Sequence, residues 1–271
     1  MIDQRIVRVG LEIDGVLNRY EGLRVKASGT KYTDPTQNDC SITITGLKAD
    51  TRGFILGATD PFKPNPKPPR LTLEVGRESL GYFVLYVGDI TNAEITAPPD
   101  IDLNLKCKTN NQNNAKIVAV SAGERITLKQ LSEQCAMNNA LELAFQAINK
   151  NIANYNFTGT AAQQIVSLQR VGNVNCFVDD GRLIVKDAGA PLKDRVRILG
   201  MNSGLVGIPK RTDKGVQVQY LIDAESQLGG TLRLDSKADK SLNGDYEITE
   251  LKYDIDTHGD NFFYTATGVR L

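Results

Sequence analysis

Alternating apolar and polar residues near both ends of the chain constrain its fold more than any other feature. Successive side chains of a β-strand point to opposite faces, so this period of two predicts strands with one buried and one exposed face. Six such segments in about 100 residues predict a β-barrel or a sandwich. They are RIVRVGLEI (5–13), LRVKAS (23–28), CSITITGL (40–47), RLTLEV (70–75), YFVLYVGDI (82–90) and IDLNLKC (101–107).

The same alternation returns after residue 194 and predicts a second β region. Only THGDN (257–261) separates its last two segments, so we expect these to pair as a hairpin. The segments are VRIL (196–199), GVQVQYLI (215–222), GTLRLD (230–235), GDYEITELKYDID (244–256) and FFYTATGVRL (262–271).

Two segments interrupt the first β region. The sequence ADTRGFILGA (49–58) predicts one or two helical turns. The sequence DPFKPNPKPP (60–69) carries half of the ten prolines of the chain. Because proline cannot donate a ladder hydrogen bond, this segment predicts an extended, exposed loop.

The middle region, from about residue 116 to 187, changes to a helical period. Thr127 with Gln130, and Thr160 with Gln163, match the Thr-x-x-Gln capping box that begins a helix. The apolar residues that follow share one helical face in each run: Leu128, Leu131 and Cys135, then Ala161, Ile165 and Leu168. Strand-like segments lie before and after both runs, which predicts two β-α-β-like units, the second closed by a hairpin.

These patterns together predict a mainly β (α+β) protein. In this prediction two small β-barrel domains, residues 1–110 and 191–271, flank a small α/β insert domain at 111–190. With 271 residues, 41% of them apolar, the chain is long enough to bury a substantial core.

The sequence CFVDDGRLIV (176–185) contains paired carboxylates, Asp179 and Asp180, which raise the possibility of a metal or acid–base site. The Asp180-Gly181 pair between two apolar runs is also a strong hairpin signal, because the turn needs positive φ angles. Consecutive strand residues point to opposite sides, so we expect the two carboxylates not to converge on one ion. We therefore predict a hairpin turn whose strands pack against the helix at 160–171 through Phe177, Val178, Leu183 and Ile184.

Other candidate chemistry is sparse. His258 is the only histidine, and most histidine-dependent catalysis would pass through it, but it lies in the predicted hairpin tip DTHGDN (256–261). That segment and TKYTDPTQND (30–39) are expected to be solvated loops. GLVGIPKR (204–211) lacks the spacing of a phosphate-binding loop. We predict no catalytic residues, no metal site and no cofactor.

Charge and cysteine content narrow the function classes. Lys+Arg and Asp+Glu are both 32, which argues against a broad nucleic-acid or anionic-membrane surface. We see no signal sequence and no apolar run of about 18 residues, so we expect synthesis in a cytoplasm and no membrane insertion. Four dispersed cysteines, Cys40, Cys107, Cys135 and Cys176, are expected to be buried thiols.

The order and wording of these segments resemble the central baseplate hub proteins of contractile-tailed bacteriophages and related injection systems. In the N-terminal part the resemblance rests on CSITITGLKADTRGFIL and on LTLEVG followed by YFVLYVGDITNAEIT. In the C-terminal part GLVGIP, GVQV, GGTLRL and GDY follow in the order of that family. The middle module alone also resembles the short N-terminal domain of secretins and TonB-dependent receptors, and this resemblance concerns the fold of the module only.

This resemblance implies a structural virion protein of the tail baseplate, assembled in the host bacterial cytoplasm. It implies a homotrimer whose six β-barrels form a pseudo-sixfold ring between a hexameric tail tube and a trimeric central spike. The ring would contact other baseplate proteins and leave a polar channel for DNA. Edge strands would pair across subunits, in keeping with a chain that shows no obvious edge protection. We expect no appended enzymatic domain.

Two other function classes remain open from the residues alone. One is a bacterial ligand- or carbohydrate-binding β protein, which would need exposed aromatic platforms although the chain has no tryptophan. The other is a hydrolase that uses Asp179, Asp180 or His258.

Overall fold

The two β regions share one thirteen-stranded sheet in the computed structural model, which describes residues 3–35, 37–60, 62, 68–99, 101–193 and 196–271. The fold is mainly β, as predicted. The N-terminal elements are β1 (Arg5–Ile13), β2 (Val16–Glu21), β3 (Arg24–Tyr32), β4 (Asp39–Thr45), α1 (Ala49–Ala58), β5 (Arg70–Arg77), β6 (Gly81–Ile95) and β7 (Asp102–Lys108). All six predicted strands and the predicted helix are confirmed. The predicted proline-rich loop lies largely outside the described residues.

The insert contains two helices and seven short strands in the described part of the chain. They are β8 (Ile117–Ser121), β9 (Arg125–Thr127), α2 (Leu128–Asn138), β10 (Glu142–Gln146), β11 (Asn151–Ala153), β12 (Asn156–Thr160), α3 (Ala161–Gly172), β13 (Val174–Asp179) and β14 (Arg182–Asp187). Both predicted capping boxes are confirmed, with Thr127 accepting from the Gln130 amide and Thr160 from the Gln163 amide.

The C-terminal elements complete the large sheet. They are β15 (Val196–Gly200), β16 (Leu205–Arg211), β17 (Gly215–Leu221), β18 (Thr231–Asp235), β19 (Gly244–Asp256) and β20 (Phe262–Arg270). β19 and β20 pair as the predicted hairpin.

Two strands of the large sheet, and the three-residue strands β9 and β11 of the insert, were not predicted. β2 pairs with β1 through a two-residue turn, in which Asp14 and Gly15 both have positive φ (51° and 82°). β16 pairs with β17 but carries a bulge between Val206 and Lys210. That bulge breaks the alternation on which the sequence prediction depends.

β19 joins the two β regions. Its first residues, Gly244–Glu247, pair with β18, whereas Glu250–Asp256 pair with β3 on the N-terminal side. The change of partner occurs at a bulge between Ile248 and Glu250, where the Thr249 carbonyl accepts a hydrogen bond from the Thr33 amide. The sheet therefore passes without a break from one β region into the other, and one hydrophobic core serves both.

The strands of the insert do not pair as simple β-α-β units. In such a unit the strands before and after the helix lie in one sheet, but here they lie in different sheets. The strands that begin the two units, β8 and β12, pair with each other. The strands that follow the helices, β10 and β13, belong to one three-stranded sheet in the order β10-β14-β13. β14 is the central strand because it pairs with β10 on one side and forms a hairpin with β13 on the other.

The β13–β14 hairpin faces two cores. Val178 and Leu183 pack in the core of the insert with the helices, as predicted. Phe177 and Ile184 pack instead in the core of the large sheet, so the prediction that they face the helix is wrong. Because strand side chains alternate, a hairpin between two layers uses both of its faces. In the described part of the chain no helix combines the length and apolarity needed to cross a membrane.

Candidate assembly surface

One face of eight neighbouring strands is polar across nearly its whole width. These strands follow the order β16-β17-β20-β19-β3-β4-β7-β6, and every neighbouring pair is antiparallel. Residues directly opposite each other share a face. We call this surface the polar face, and its central members are Gln217, Gln219, Thr265, Thr267, Glu250, Lys252, Asp254, Asp256, Lys26, Ser28, Thr30, Ser41, Thr43, Asn104 and Lys106. Phe263, opposite Asp254, interrupts it.

Cross-strand contacts hold the side chains of the polar face. The Thr43 hydroxyl donates to Asn104 Oδ1 at 2.7 Å, and the Thr267 hydroxyl donates to a Glu250 carboxylate oxygen at 3.0 Å. Lys26 Nζ lies 3.4 Å from Asp256 Oδ2. Opposed polar pairs of this kind stabilise a sheet. The resulting surface is hydrophilic and ordered over both β regions.

Positive and negative charges are mixed on the polar face. Lys26, Lys106 and Lys252 alternate with acidic residues that include Glu250 and Asp254. A surface that binds DNA tightly needs an excess of positive charge to neutralise phosphates. The polar face lacks that excess, so we expect it to bind nucleic acid only weakly.

Both ends of the polar face are open sheet edges in the described part of the chain. At one end β16 pairs only with β17. At the other end β6 pairs with β5 through its first part and with β7 through Asp89–Ile95. Residues 91–95 of β6 therefore have no strand on their second edge. Ile208 of β16 is 68% exposed and Ile95 of β6 is 50% exposed, which gives each edge an apolar side chain.

The β16 edge is partly protected, against the expectation of no edge protection. Its bulge contains Gly207 at φ 72° and Pro209, whose nitrogen carries no hydrogen. Proline and bulges are the usual means by which an edge strand avoids uncontrolled pairing. Backbone pairing at this edge is thus limited to residues on either side of Pro209.

The paired aspartates bind a lysine from the large sheet. Lys31 Nζ lies 2.9 Å from Asp179 Oδ1 and 2.7 Å from Asp180 Oδ2, and the Lys31 and Asp179 side chains are each 5% exposed. The predicted turn is confirmed, with Asp180 and Gly181 at φ 47° and 82°. The expectation that the carboxylates diverge is wrong, because the turn begins at Asp180 and strand alternation no longer directs its side chain.

Burial and mutual charge shift the pKa values of Asp180 and Lys31. Burial, followed by the neighbouring charge of Asp179, raises the pKa of Asp180 to about 7 despite the attraction of Lys31. Burial disfavours the charge of Lys31, but Asp179 and Asp180 outweigh it and raise the pKa of the lysine. One ammonium with two carboxylates carries a net negative charge, so a proton on Asp180 neutralises the cluster.

Asn38 completes this contact between the insert and the large sheet. Its side-chain amide donates to the Val178 carbonyl at 2.9 Å, and its Oδ1 accepts from the Tyr32 amide at 2.9 Å. We call the contact of Lys31 and Asn38 with residues 178–180 the junction. The prediction that 30–39 is a solvated loop is wrong here, because Lys31 belongs to β3 and Asn38 is 1% exposed.

A second buried ion pair ties the insert to the C-terminal β region. Lys186 Nζ lies 2.8 Å from Glu247 Oε1 and donates to the Ala190 carbonyl at 2.8 Å. Nearby, the Leu192 amide donates to the Gly229 carbonyl at 2.7 Å. Buried ions persist only when they are paired. The insert is therefore fixed to both β regions by buried lysines.

The structure does not bring His258 to the aspartates. Two residues of β3 mark these places: Lys26 is opposite Asp256 at the hairpin tip, and Lys31 of the junction is opposite Leu251 of β19. The hairpin tip and the junction are therefore about 16 Å apart along β3. His258 is exposed, its Nδ1 lies 2.9 Å from the Thr257 hydroxyl, and its amide donates to Asp256. The segment 256–261 is a largely exposed hairpin tip, as predicted.

The four cysteines, which are the remaining candidate metal ligands, are buried in the protein core. All four cysteines are buried free thiols, as predicted, and burial raises the pKa of Cys40 and of Cys135 to about 12. Among the described residues no group of three or more His, Cys, Asp or Glu side chains is placed to hold a metal ion.

An extended polar sheet surface between two open edges defines a β protein suited to assembly with other subunits. The chain belongs to the baseplate hub gp41 family, whose model matches residues 6–268. It is therefore a structural protein of a phage tail baseplate and a component of the virion. The resemblance that the sequence suggested is confirmed. No sequence among the curated proteins matches this chain.

Solved structures show the same fold at low sequence identity. The 43 kDa tail protein of prophage MuSo2 from Shewanella oneidensis is 10% identical, with a TM-score of 0.65 over 97% of this chain and 96% of that chain. A tail protein from Neisseria meningitidis MC58 is 8% identical, with a TM-score of 0.64 over the same shares. The E. coli c3393 protein, a component of the type VI secretion system, is 10% identical, with a TM-score of 0.60 over 96% of this chain and 76% of that chain.

Sequence reasoning missed Lys31 as the partner of the aspartates. The sequence signal for this role is the position of Lys31, which lies on the same buried side of β3 as Ala27. A lysine in that phase has to find an acidic partner.

Proposed function

We propose that three copies of this chain form a hub ring that joins a hexameric tail tube to a trimeric central spike. Each chain contributes two β regions, so three chains present six and match both symmetries. The observation that carries the proposal is the polar face, which crosses both β regions and ends in two open edges. The core of the insert, separate from that of the large sheet, supports domain boundaries near residues 110 and 190.

The directions of the edge strands favour a closed ring. Eight strands alternate in direction across the polar face, so β16 and β6 run in opposite directions. Rotation about a ring axis preserves strand direction along that axis. β16 of one copy would therefore meet β6 of the next copy antiparallel, and each β region would take part in one continuous barrel around the channel.

The backbone of β6 has groups available for this contact. The Thr96 amide donates to the Asp102 carbonyl on the β7 side. Since alternate residues of a strand direct their backbone groups to opposite edges, those of Ala93 and Ile95 face the open edge. Each of the two edges also carries one exposed apolar side chain, Ile95 on β6 and Ile208 on β16.

The polar face would line the channel of this ring. Its hydroxyl, amide and charged side chains remain hydrated, and its mixed charges give DNA no strong binding site. The outer layers would contact the spike and other baseplate proteins. Assembly would take place in the host cytoplasm, where thiols such as the buried cysteines remain reduced.

Disulfide cross-linking tests the ring. We expect Ile95→Cys combined with Ile208→Cys to yield covalent trimers on oxidation, because the native cysteines are buried and unreactive. A matched control combines Ile208→Cys with Val16→Cys, since Val16 is 61% exposed but lies on another edge. Trimers from the control pair alone would contradict the proposed contact.

Native mass spectrometry tests the stoichiometry. We expect trimers of the purified chain, or trimers formed when the trimeric spike protein is added. A monomer in both conditions would contradict the hub proposal. Loss of assembly in edge variants, with His258 replaceable, would separate the hub function from a hydrolase.

A further inference from the structure

The outer edge of β2 is an unoccupied sheet edge in the described part of the chain. β2 is the last strand of the large sheet and pairs only with β1. Every residue of Val16–Glu21 except Tyr20 is exposed. β2 lies beyond β5 and β1, and no strand of the polar face pairs with it.

The register fixes which backbone groups are free. In a two-residue hairpin the residues that flank the turn, here Ile13 and Val16, exchange hydrogen bonds. The next residue points its backbone away from the partner strand. The N–H and C=O groups of Leu17, Arg19 and Glu21 therefore face outward from β1 and form a regular row along the open edge.

This edge is held in position by its neighbours. Arg8 binds the Glu74 carboxylate through two nitrogens, at 2.6 and 2.9 Å, and reaches Glu21 at 3.3 Å. The Leu17 side chain packs over Gly10, where an added Cβ would lie 3.2 Å from Leu17 Cδ1. A partner would meet a preformed strand, which reduces the entropy cost of binding.

β2 lacks the protection that the β16 edge has. Val16–Glu21 contains no proline and no glycine, and its pairing with β1 runs without a bulge. Val16 is 61% exposed and Leu17 is 40% exposed. An edge with an unbroken backbone row and exposed apolar residues is a site for strand addition.

The charges favour a different chain as the occupant. Among the residues that the structure describes, the acidic side chain that Arg19 reaches is Glu74, at 3.8 Å, and that carboxylate is already bound by Arg8. The two antiparallel registers that pair most of β2 with a second copy place Arg19 opposite Arg19 or opposite Leu17. Neither register places an acidic residue directly opposite Arg19, and like charges directly opposite destabilise a pair.

We propose that β2 is the docking strand for an extended segment of another protein of the tail. The segment adds to the sheet as a strand, with an acidic residue opposite Arg19 and apolar residues beside Val16 and Leu17. It binds on the outside of the hub, separate from the edges that would close the ring.

Hydrogen exchange in assembled tails tests this inference. We expect the outward-facing backbone amides of Leu17, Arg19 and Glu21 to exchange at least about tenfold more slowly in purified tails than in the purified hub, because each new ladder hydrogen bond protects an amide. Equal exchange in both would overturn the inference. Protection of these three amides already present in the hub alone would also overturn it, since the occupant would be a second copy. Protection at residues 91–95 in the hub reports separately on ring closure.

A matched pair of variants assigns the protection to backbone pairing. Arg19→Pro removes an outward N–H, which an edge strand tolerates, whereas Arg19→Ala removes the charge and keeps the N–H. We expect Arg19→Pro to abolish the added protection in tails and Arg19→Ala to retain most of it. Leu17→Lys replaces Arg19→Pro if thermal melting shows that the proline variant does not fold. Full protection in a folded blocking variant would overturn the inference.

Discussion

Lys31 and Asp179 form a buried ion pair across the junction between the large sheet and the insert, with 2.9 Å between Nζ and Oδ1. They are separated by 148 residues in the chain. We expect the pair to contribute to the specificity of docking, because an insert docked in another position would leave an unpaired charge in the core. The paired aspartates are therefore part of the architecture of the hub.

Removal of the junction lysine is expected to destabilise the protein strongly. Lys31→Met leaves two buried carboxylates without a cation, and breaking a buried pair in this way costs about 3–5 kcal/mol. Lys252→Met is the control, because Lys252 is 51% exposed and its pair with Glu250 is worth at most about 1 kcal/mol. Chemical denaturation measures both, and equal effects would contradict the buried-pair interpretation.

The junction is also expected to respond to pH. The pKa of Asp180 is about 7 in the folded protein and near 3.8 in the unfolded chain, so the folded state holds an extra proton between these values. This stabilisation is complete below about pH 4 and is lost as the pH rises through 7, with a slope of at most about 1.4 kcal/mol per pH unit.

Asp180→Asn isolates this effect. Asparagine suits a positive-φ turn position, and its side-chain oxygen can still accept from Lys31. We expect the stability of the wild type relative to this variant to fall between pH 5 and pH 8, in denaturation curves measured at each pH. Parallel pH profiles for the two proteins would contradict a raised pKa at Asp180.

Local patterns gave most of the elements but not their long-range pairing. Alternation and the capping boxes at Thr127 and Thr160 depend on neighbouring residues, so they can be read from the sequence. The β3–β19 pairing joins residues such as Tyr32 and Glu250, and nothing local encodes it. The polar face follows from that pairing and could not be predicted before it was known. β2 could have been predicted from Asp14-Gly15, which is the same hairpin signal as Asp180-Gly181.

Two glycines are expected to respond in opposite ways to alanine. At Gly29 a Cβ would lie 2.2 Å from the Asp39 carbonyl oxygen and 2.4 Å from the Tyr253 hydroxyl, so Gly29→Ala must displace backbone and a buried ring. We expect a loss of about 1–3 kcal/mol, as for other overpacked cores. Gly53, in α1, has nothing within 4 Å of its Cβ position. Gly53→Ala should therefore stabilise the helix by about 0.5–1 kcal/mol, and thermal melting compares the two variants with the wild type.

His258 is expected to be dispensable for assembly. Its side chain is exposed at the β19–β20 hairpin tip, and the Asp256 contact that orders this tip is made by the His258 backbone amide, which alanine retains. His258→Ala should change the free energy of unfolding by less than about 0.5 kcal/mol, as is usual for exposed positions. It should leave trimer formation and the Ile95–Ile208 cross-link unchanged. Asp256→Ala is the matched substitution. It removes the carboxylate that accepts from the His258 amide and that pairs with Lys26, so it should destabilise the hairpin more than His258→Ala does. A loss of tail assembly in His258→Ala with unchanged folding would instead assign a direct role to the imidazole.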